Sequence, residues 1–254
     1  MRIVYMGNHN NGYNILEFLL LSKENVVCIV VHADADEPHP YKSVKELALS
    51  HNLPIIQTKN VNQHYDEIKG YTPDIIFSIN FGQILRSPLI ELPSMGCINL
   101  HTSLLPKNRG SHPNIWAIVN GEKETGVTFH YITERIDDGE ILGLSPIPIE
   151  LWDTGKTLYE KMSKKALELF KELYPKIKSG DIKPIPQDNS NATIHRKKDL
   201  KKIDEIDIDT LSGRKLYNIL RARTFPPYDG CYIKAGCKRI YLKLEIDVRE
   251  SSGG

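Results

Sequence analysis

Apolar residues fall in short unbroken runs along the first part of the chain, and stretches of helical spacing separate them. Residues 2–6 form one such run; residues 7–12 read as a polar turn, and 13–22 carry helical periodicity. Residues 25–32 are a continuous β-branched run, which suits a strand covered on both faces of a parallel sheet. A polar, Pro-bearing loop over 33–41 leads to a helix over 42–51, a short strand over 54–57 and a weak helix over 61–69. A buried strand over 74–80 ends in Phe81-Gly82-Gln83-Ile84-Leu85; a short helical turn over 86–91 precedes the strand at 96–100. This β–α alternation predicts a mostly parallel sheet, whose ligands bind beyond the carboxyl ends of its strands. Asn80-Phe81-Gly82 and residues 99–101 lie at two such ends. Gly7 and Gly12 lack the full G-x-G-x-x-G spacing, so a dinucleotide is disfavoured, and turn geometry and ligand contact remain open for both.

The second half changes rhythm. A Pro-, Arg- and Gly-bearing loop at 106–110 precedes a helix over 113–120. Strands over 125–133 and 141–150 flank a tight acidic turn at 136–140 and form an antiparallel pair. Asp153-Thr154-Gly155 starts a long amphipathic helix over 155–179, and Ser179-Gly180 stops it. Residues 187–205 are polar and charge-dense; Asp199, Asp204 and Glu205 interrupt the basic positions 196–198, 201 and 202, as in a solvated connector. A helix over 209–222, a turn over 224–230 and a hairpin over 231–244 around Ala235-Gly236 follow, and 250–254 read as a disordered tail. The expected division is a catalytic domain over 1–186, then a connector and small helix–hairpin unit over 187–250.

Bulk properties narrow the class without choosing the chemistry. The 254 residues carry a formal net charge of +1, which offers none of the electrostatic excess that phosphate-backbone binding exploits. The start is no signal peptide and no run approaches ~18 apolar residues, so the expectation is a reduced, cytoplasmic protein with no membrane partner. Cys28 and Cys97 sit in apolar runs, and Cys231 and Cys237 flank a turn; their spacing supplies neither a C-x-x-C pair nor a metal site.

The chemistry gathers around Asn99 and His101. Two residues apart on a strand, they leave on the same face and give a proton acceptor beside an amide donor. The acidic turn with Asp137 can orient the imidazole. Ser103 lies close but has no G-x-S-x-G elbow, so no side-chain nucleophile is evident. A base, an oxyanion donor and a carboxylate suit direct acyl transfer from a bound donor to an amine. The plainer alternatives are a hydrogen-bonded structural histidine and an aspartate that closes a turn.

The pattern Asn99-x-His101-x-Ser103-Leu104-Leu105-Pro106-x-x-Arg109-Gly110, followed by Thr125-Gly126-Val127-Thr128 and Ile136-Asp137-x-Gly139-Glu140-Ile141-Leu142, resembles the N10-formyltetrahydrofolate-dependent formyltransferases over about residues 1–150. The resemblance implies a Rossmann-like α/β formyltransferase domain and places the family's catalytic residues on Asn99, His101 and Asp137. It implies a folate site at Phe81, Gln83, Ile84, Leu85, Arg109, Asp138 and Gly139. Residues 217–228 resemble sugar-nucleotide N-formyltransferases, in which an aromatic stacks on the base and basic groups face the pyrophosphate. That implies a substrate site at Arg221, Arg223, Phe225 and Tyr228, with Asn8, His9 and Asn10 near the sugar or diphosphate; packing of the C-terminal unit is the other reading of Phe225 and Tyr228. The expected reaction formylates the amine of a nucleotide-linked amino sugar, with dTDP-4-amino-4,6-dideoxyglucose the leading substrate, for surface polysaccharide (O-antigen) synthesis. No metal and no nucleic acid are expected, and the C-terminal helix and hairpin are expected to pair two subunits as a homodimer. Methionyl-tRNA formyltransferase and formyltetrahydrofolate hydrolase are the alternatives; the short segment after the connector and the near-neutral charge speak against tRNA.

Overall fold

Each inner strand presents apolar side chains to both sides, and that alternation fixes a three-layer arrangement. In β1 (Arg2–Gly7), Ile3 and Tyr5 join one buried cluster while Val4 and Met6 join another on the opposite face. β2 (Asn25–His32) and β4 (Ile75–Ile79) divide in the same way. With β3 (Ile55–Thr58), β5 (Cys97–His101), β7 (Glu124–Tyr131) and β8 (Ile141–Pro148) they form one seven-stranded sheet in the order β3-β2-β1-β4-β5-β7-β8. The computed structural model describes residues 1–33 and 40–249. Most of the expected 33–41 loop and the expected disordered tail at 250–254 lie outside the described residues.

Pairing is parallel from β3 through β5 and antiparallel from β5 through β7 to β8. The sheet is therefore mostly parallel, in agreement with the alternation of runs and helices, and the expected antiparallel pair is β7 with β8. The carboxyl ends of β1, β4 and β5 open on the same edge. There β5 and β7 run antiparallel with Asn99 opposite His130 and His101 opposite Thr128. Thr128 Oγ1 donates to the Ser103 carbonyl at 2.6 Å and accepts from Leu105 N–H at 3.3 Å, which ties the Leu-Leu-Pro loop to β7.

One face is covered by α1 (His9–Leu21), α4 (Pro113–Val119), α5 (Gly155–Ser179) and α7 (Gly213–Arg223). Phe170 of α5 is fully buried and packs against Phe18, Phe77, Phe129 and Tyr174. The same face carries α2 (Val44–Ser50), whose Val44 and Ala48 join that cluster, while the other face carries α3 (Tyr65–Gly70), whose Ile68 joins the second cluster. In α7, Ile219 and Ala222 belong to the main core, so the C-terminal helix is continuous with the catalytic layer. The hairpin of β10 (Tyr232–Ala235) and β11 (Lys238–Tyr241) turns at Gly236, where φ is +60°; Ile240 and Tyr241 remain exposed. All four cysteines are free thiols. No helix among the described residues is long and apolar enough to cross a membrane.

Three elements depart from expectation. The polar 7–12 segment is helix rather than turn: α1 already begins at His9, with Asn8 extended as its N-cap. Gly7 and Gly12 bring helix and strand into close approach, since a Cβ on Gly12 would lie 3.1 Å from the Gly7 carbonyl carbon. α7 starts at Gly213, where the Ser212 side chain caps Lys215 N–H, instead of at 209. The connector is no free tether. Its residues Ile194–His195 form β9, which pairs in parallel with β6 (Arg109–Gly110) beside the site. This contact requires Gly110, because φ there is +88° and a Cβ would collide with the His195 carbonyl. Lys197–Leu200 and α6 (Lys201–Asp204) carry the chain on to α7.

The start signal read for α5 is realised as a capping box, in which Thr154 Oγ1 accepts from Thr157 N–H at 3.1 Å and Thr157 Oγ1 accepts from Thr154 N–H at 2.9 Å. Thr154→Ala should cost about 1 kcal/mol, a drop in Tm of about 2–4 °C for a chain of this size. Differential scanning calorimetry checks it, and an unchanged Tm would remove the cap from the account.

Candidate active site

The end of β5 and the turn after β7 deliver four polar side chains to one point. His101 is 5% exposed, and its Nε2 lies 2.8 Å from the Asn108 carbonyl. A carbonyl only accepts, so Nε2 carries the proton and Nδ1 holds the lone pair. Nδ1 faces Asp137 Oδ2 at 3.5 Å. Asp137 Oδ2 accepts from Gly110 N–H at 2.8 Å, and Asp137 Oδ1 lies 3.5 Å from both Asn99 Nδ2 and His130 Nε2. Asp137 itself sits in the left-handed region with φ +49°, a conformation that costs energy for a non-glycine residue and that its contacts must hold.

Burial pushes His101 below the ordinary histidine range, and the nearby Asp137 carboxylate only partly opposes this. Burial also works against ionisation of Asp137, yet the imidazoles of His101 and His130 and the Gly110 N–H outweigh it and hold this carboxyl well below the usual carboxylate range. At neutral pH the site therefore pairs a neutral imidazole with a carboxylate. The imidazole can take a proton, and the carboxylate beside it stabilises the resulting cation.

His130 was not among the residues read from the sequence. It is 2% exposed; its Nδ1–H donates to the Tyr131 carbonyl at 2.8 Å, so its Nε2 accepts from Asn99 Nδ2 at 3.1 Å. This bond fixes the Asn99 amide with its nitrogen toward Asp137. The signal that would have revealed His130 is cross-strand register, because it is the direct partner of Asn99 on β7.

These groups line a cleft of about 990 Å³. Phe81, Gln83, Ile84 and Leu85 form one wall. Gln83 secures that wall by accepting from Val61 N–H at 2.8 Å and donating to the Thr58 carbonyl at 2.9 Å. The Phe81 carbonyl is held by His32 Nε2, and Ile84 is 57% exposed. Residues 132–137 line it too. His9, Arg223, Phe225 and Tyr228 reach the same cleft, and Tyr41 and Tyr159 complete an aromatic patch with Phe225. His9 stacks on Tyr41 with ring centroids 4.2 Å apart.

Several expected contacts fall elsewhere. Arg221 is 3% exposed and does not line the cleft; its guanidinium donates to Asn218 Oδ1 and to the carbonyls of Glu150 and Asp153, so it anchors α7 to the loop before α5 rather than offering a phosphate fork. Arg109 turns away to Gln187 and Asn189, at 2.6 Å each. Asp138 accepts from Thr133 Oγ1 at 2.5 Å, and Gly139 is required because a Cβ would collide with the Tyr131 carbonyl; both shape the acidic turn. Asn8 accepts from His32 N–H and Asn10 from Lys42 N–H, so both brace the β1–α1 junction rather than line the cleft. In their place the connector supplies Ile194, His195, Arg196 and Lys197 to the cleft, against the expectation of a solvated tether. Ser103 Oγ donates to the Lys107 carbonyl and is fully buried, a structural role. Among the described residues no group of three His, Cys, Asp or Glu side chains is placed to hold a metal ion.

A mostly parallel sheet with an antiparallel return carries this Asn–His–Asp cluster at its carboxyl edge, an arrangement that suits acyl transfer. Residues 1–173 match the formyl transferase family, and residues 199–248 match the N-formyltransferase dimerization C-terminal domain. The chain belongs to the formyl transferase family. A methionyl-tRNA formyltransferase of Bacillus pumilus is 33% identical over 268 residues, covering 99% of this chain and 81% of that protein. The structure is similar to a 4-N formyltransferase of Francisella tularensis at 25% identity and TM-score 0.81, with 98% of each chain covered. It is also similar to an N-formyltransferase of Helicobacter canadensis, solved in complex with folinic acid and dTDP-3-aminofucose, at 25% identity and TM-score 0.78, over 94% of this chain and 85% of the other.

Burial favours the neutral form of His101; with that imidazole as the base, kcat/KM should be flat above the ordinary histidine value of about 6.5 and fall only at lower pH. A pH profile of initial rates reads this directly; an acid limb centred above about 6.5 would contradict the assignment.

Proposed function

We propose that this formyltransferase moves a formyl group from N10-formyltetrahydrofolate to the primary amine of a nucleotide-linked amino sugar, with dTDP-4-amino-4,6-dideoxyglucose as the leading candidate and surface polysaccharide (O-antigen) synthesis as the setting. The observation that carries the reading is one continuous cleft. It joins the Asn99–His101–Asp137 cluster to a patch built from Tyr41, Tyr159, Phe225 and Tyr228, with Arg223 and Lys197 alongside. Aromatic faces suit a base and cationic side chains suit a diphosphate. The folate is assigned to the wall of Phe81, Gln83, Ile84 and Leu85. The Helicobacter relative, whose complex holds a folate and a dTDP-amino sugar, supports these two substrate classes.

The amine nitrogen attacks the formyl carbon, the bond from that carbon to the folate nitrogen breaks, and the proton lost by the amine ends on that nitrogen. Asn99 Nδ2–H donates to the oxyanion formed in between. His101 Nδ1 accepts the amine proton, Asp137 stabilises the imidazolium, and the pair returns the proton to the leaving nitrogen. The match of residues 199–248 to a dimerization domain supports a homodimer formed through the C-terminal helix and hairpin. The name of the Bacillus relative supports a second reading, with methionyl-tRNA as acceptor. Phosphate-backbone binding of that kind would bring a steep salt dependence.

Two variants separate the halves of the site. His101→Asn should cut kcat about 10²–10⁴-fold with nucleotide-sugar binding retained. Phe225→Ala should raise KM for the sugar nucleotide about tenfold or more, as loss of one base-stacking platform does, with KM for the folate unchanged. Steady-state kinetics with each substrate varied in turn checks both. Near-parental turnover by His101→Asn would remove the base, and an unchanged sugar-nucleotide KM in Phe225→Ala would remove the aromatic patch from substrate binding.

A further inference from the structure

His101 is held from behind by a single residue whose every polar atom is committed. Asn108 is 1% exposed and sits in the left-handed region with φ +56°. That turn aims its carbonyl at His101 Nε2, at 2.8 Å. Its own N–H donates to Thr193 Oγ1 at 2.8 Å. Its Nδ2 donates to both carboxylate oxygens of Glu122, at 2.9 and 3.1 Å, and its Oδ1 lies 3.1 Å from His195 Nε2. An amide oxygen only accepts, so His195 Nε2 is protonated as well. His195 stacks on Trp116 with the ring planes 8° apart and lines the cleft.

We propose that Asn108, oriented by Glu122, is a positioning residue that sets the tautomer of His101 and joins it to the connector wall of the cleft. The chain of bonds runs from Glu122 to the Asn108 amide, then to His195 on one side and through the Asn108 carbonyl to His101 on the other. Glu122 has only acceptors, so it fixes which end of the amide faces His195. The carbonyl fixes which ring nitrogen of His101 carries the proton. The lone pair is thereby kept on Nδ1, the nitrogen that faces Asp137. The remaining charged and titratable groups around this imidazole are His130 from β7 and Arg109 from β6, and neither offers Nε2 an acceptor. An aliphatic residue at 108 would lose the three side-chain bonds to Glu122 and His195 and strain the left-handed backbone; glycine permits that backbone but loses the same three bonds, which hold the carbonyl on Nε2.

This inference rests on His101 acting as the base, but its test is read without substrate. In the full-length parent, ¹⁵N NMR of the His101 ring should show Nε2 protonated and Nδ1 bare at neutral pH. In Asn108→Gly the ring should become a mixture of tautomers, kcat should fall about tenfold or more, the acid limb of the pH profile should move, and KM for either substrate should change little. Glu122→Gln keeps one acceptor and should shift the same readouts less, while Glu122→Ala should match Asn108→Gly. A parent ring protonated at Nδ1, or variants that lower Tm while leaving tautomer and pH midpoint at parental values, would overturn the positioning role. Failure of the base assignment is a different result, namely full turnover by His101→Asn with the tautomers as expected.

Discussion

Asp137 is the point on which the site depends. One carboxylate meets the Gly110 N–H, the His101 and His130 rings and the Asn99 amide, drawn from β5, β6 and β7. A buried carboxylate without such partners would be expensive. Here the partners more than offset burial, and the charge is retained. Its left-handed backbone is held by the same contacts, so the geometry of the turn and the electrostatics of the cluster are one feature. The antiparallel return of β7 against β5 is what makes it possible. It sets His130 opposite Asn99 and brings the acidic turn back over the end of β5.

Charge at this site is divided so that each group has one task. Burial keeps His101 neutral and able to accept a proton, while ionised Asp137 waits to stabilise the cation. Asn99 is oriented by His130, which turns its amide nitrogen toward Asp137. No side-chain nucleophile sits among these groups, and Ser103 is turned into the backbone of its own loop. Direct transfer between two bound partners is the chemistry this arrangement suits, and a cleft with two ends provides for both.

The parts legible in the sequence were those governed by local rules. Continuous β-branched runs gave the parallel strands, and α5 was bounded at both ends by its capping threonine and its C-terminal glycine, which has φ +78°. Asn99 and His101 were readable as a same-face pair on a strand, the acidic turn at 136–140 as their partner, and family resemblance picked Asp137 within it. Long-range pairing hid the rest. His130 needs the β5–β7 register, and β9 is two residues in a polar segment with no periodicity to announce it. Arg221 was read as a phosphate ligand from the resemblance of residues 217–228 to sugar-nucleotide N-formyltransferases, but the buried face of α7 turns it toward backbone carbonyls of the loop before α5. The polar turn expected at 7–12 became helix from His9 on, with Asn8 extended before it and Gly12 packed close against Gly7.

The central claim is that the two ends of one cleft bring a formyl-folate and a nucleotide-linked amine together at His101. Mass spectrometry of a mixture of nucleotide-amino sugars, incubated with the protein and N10-formyltetrahydrofolate, tests it most directly. The account predicts that a dTDP-linked 4-amino-4,6-dideoxyhexose gains the mass of one formyl group and that this gain disappears with His101→Asn. Formyl transfer to initiator methionyl-tRNA with no sugar nucleotide modified, or release of formate with no acceptor formylated, would contradict it.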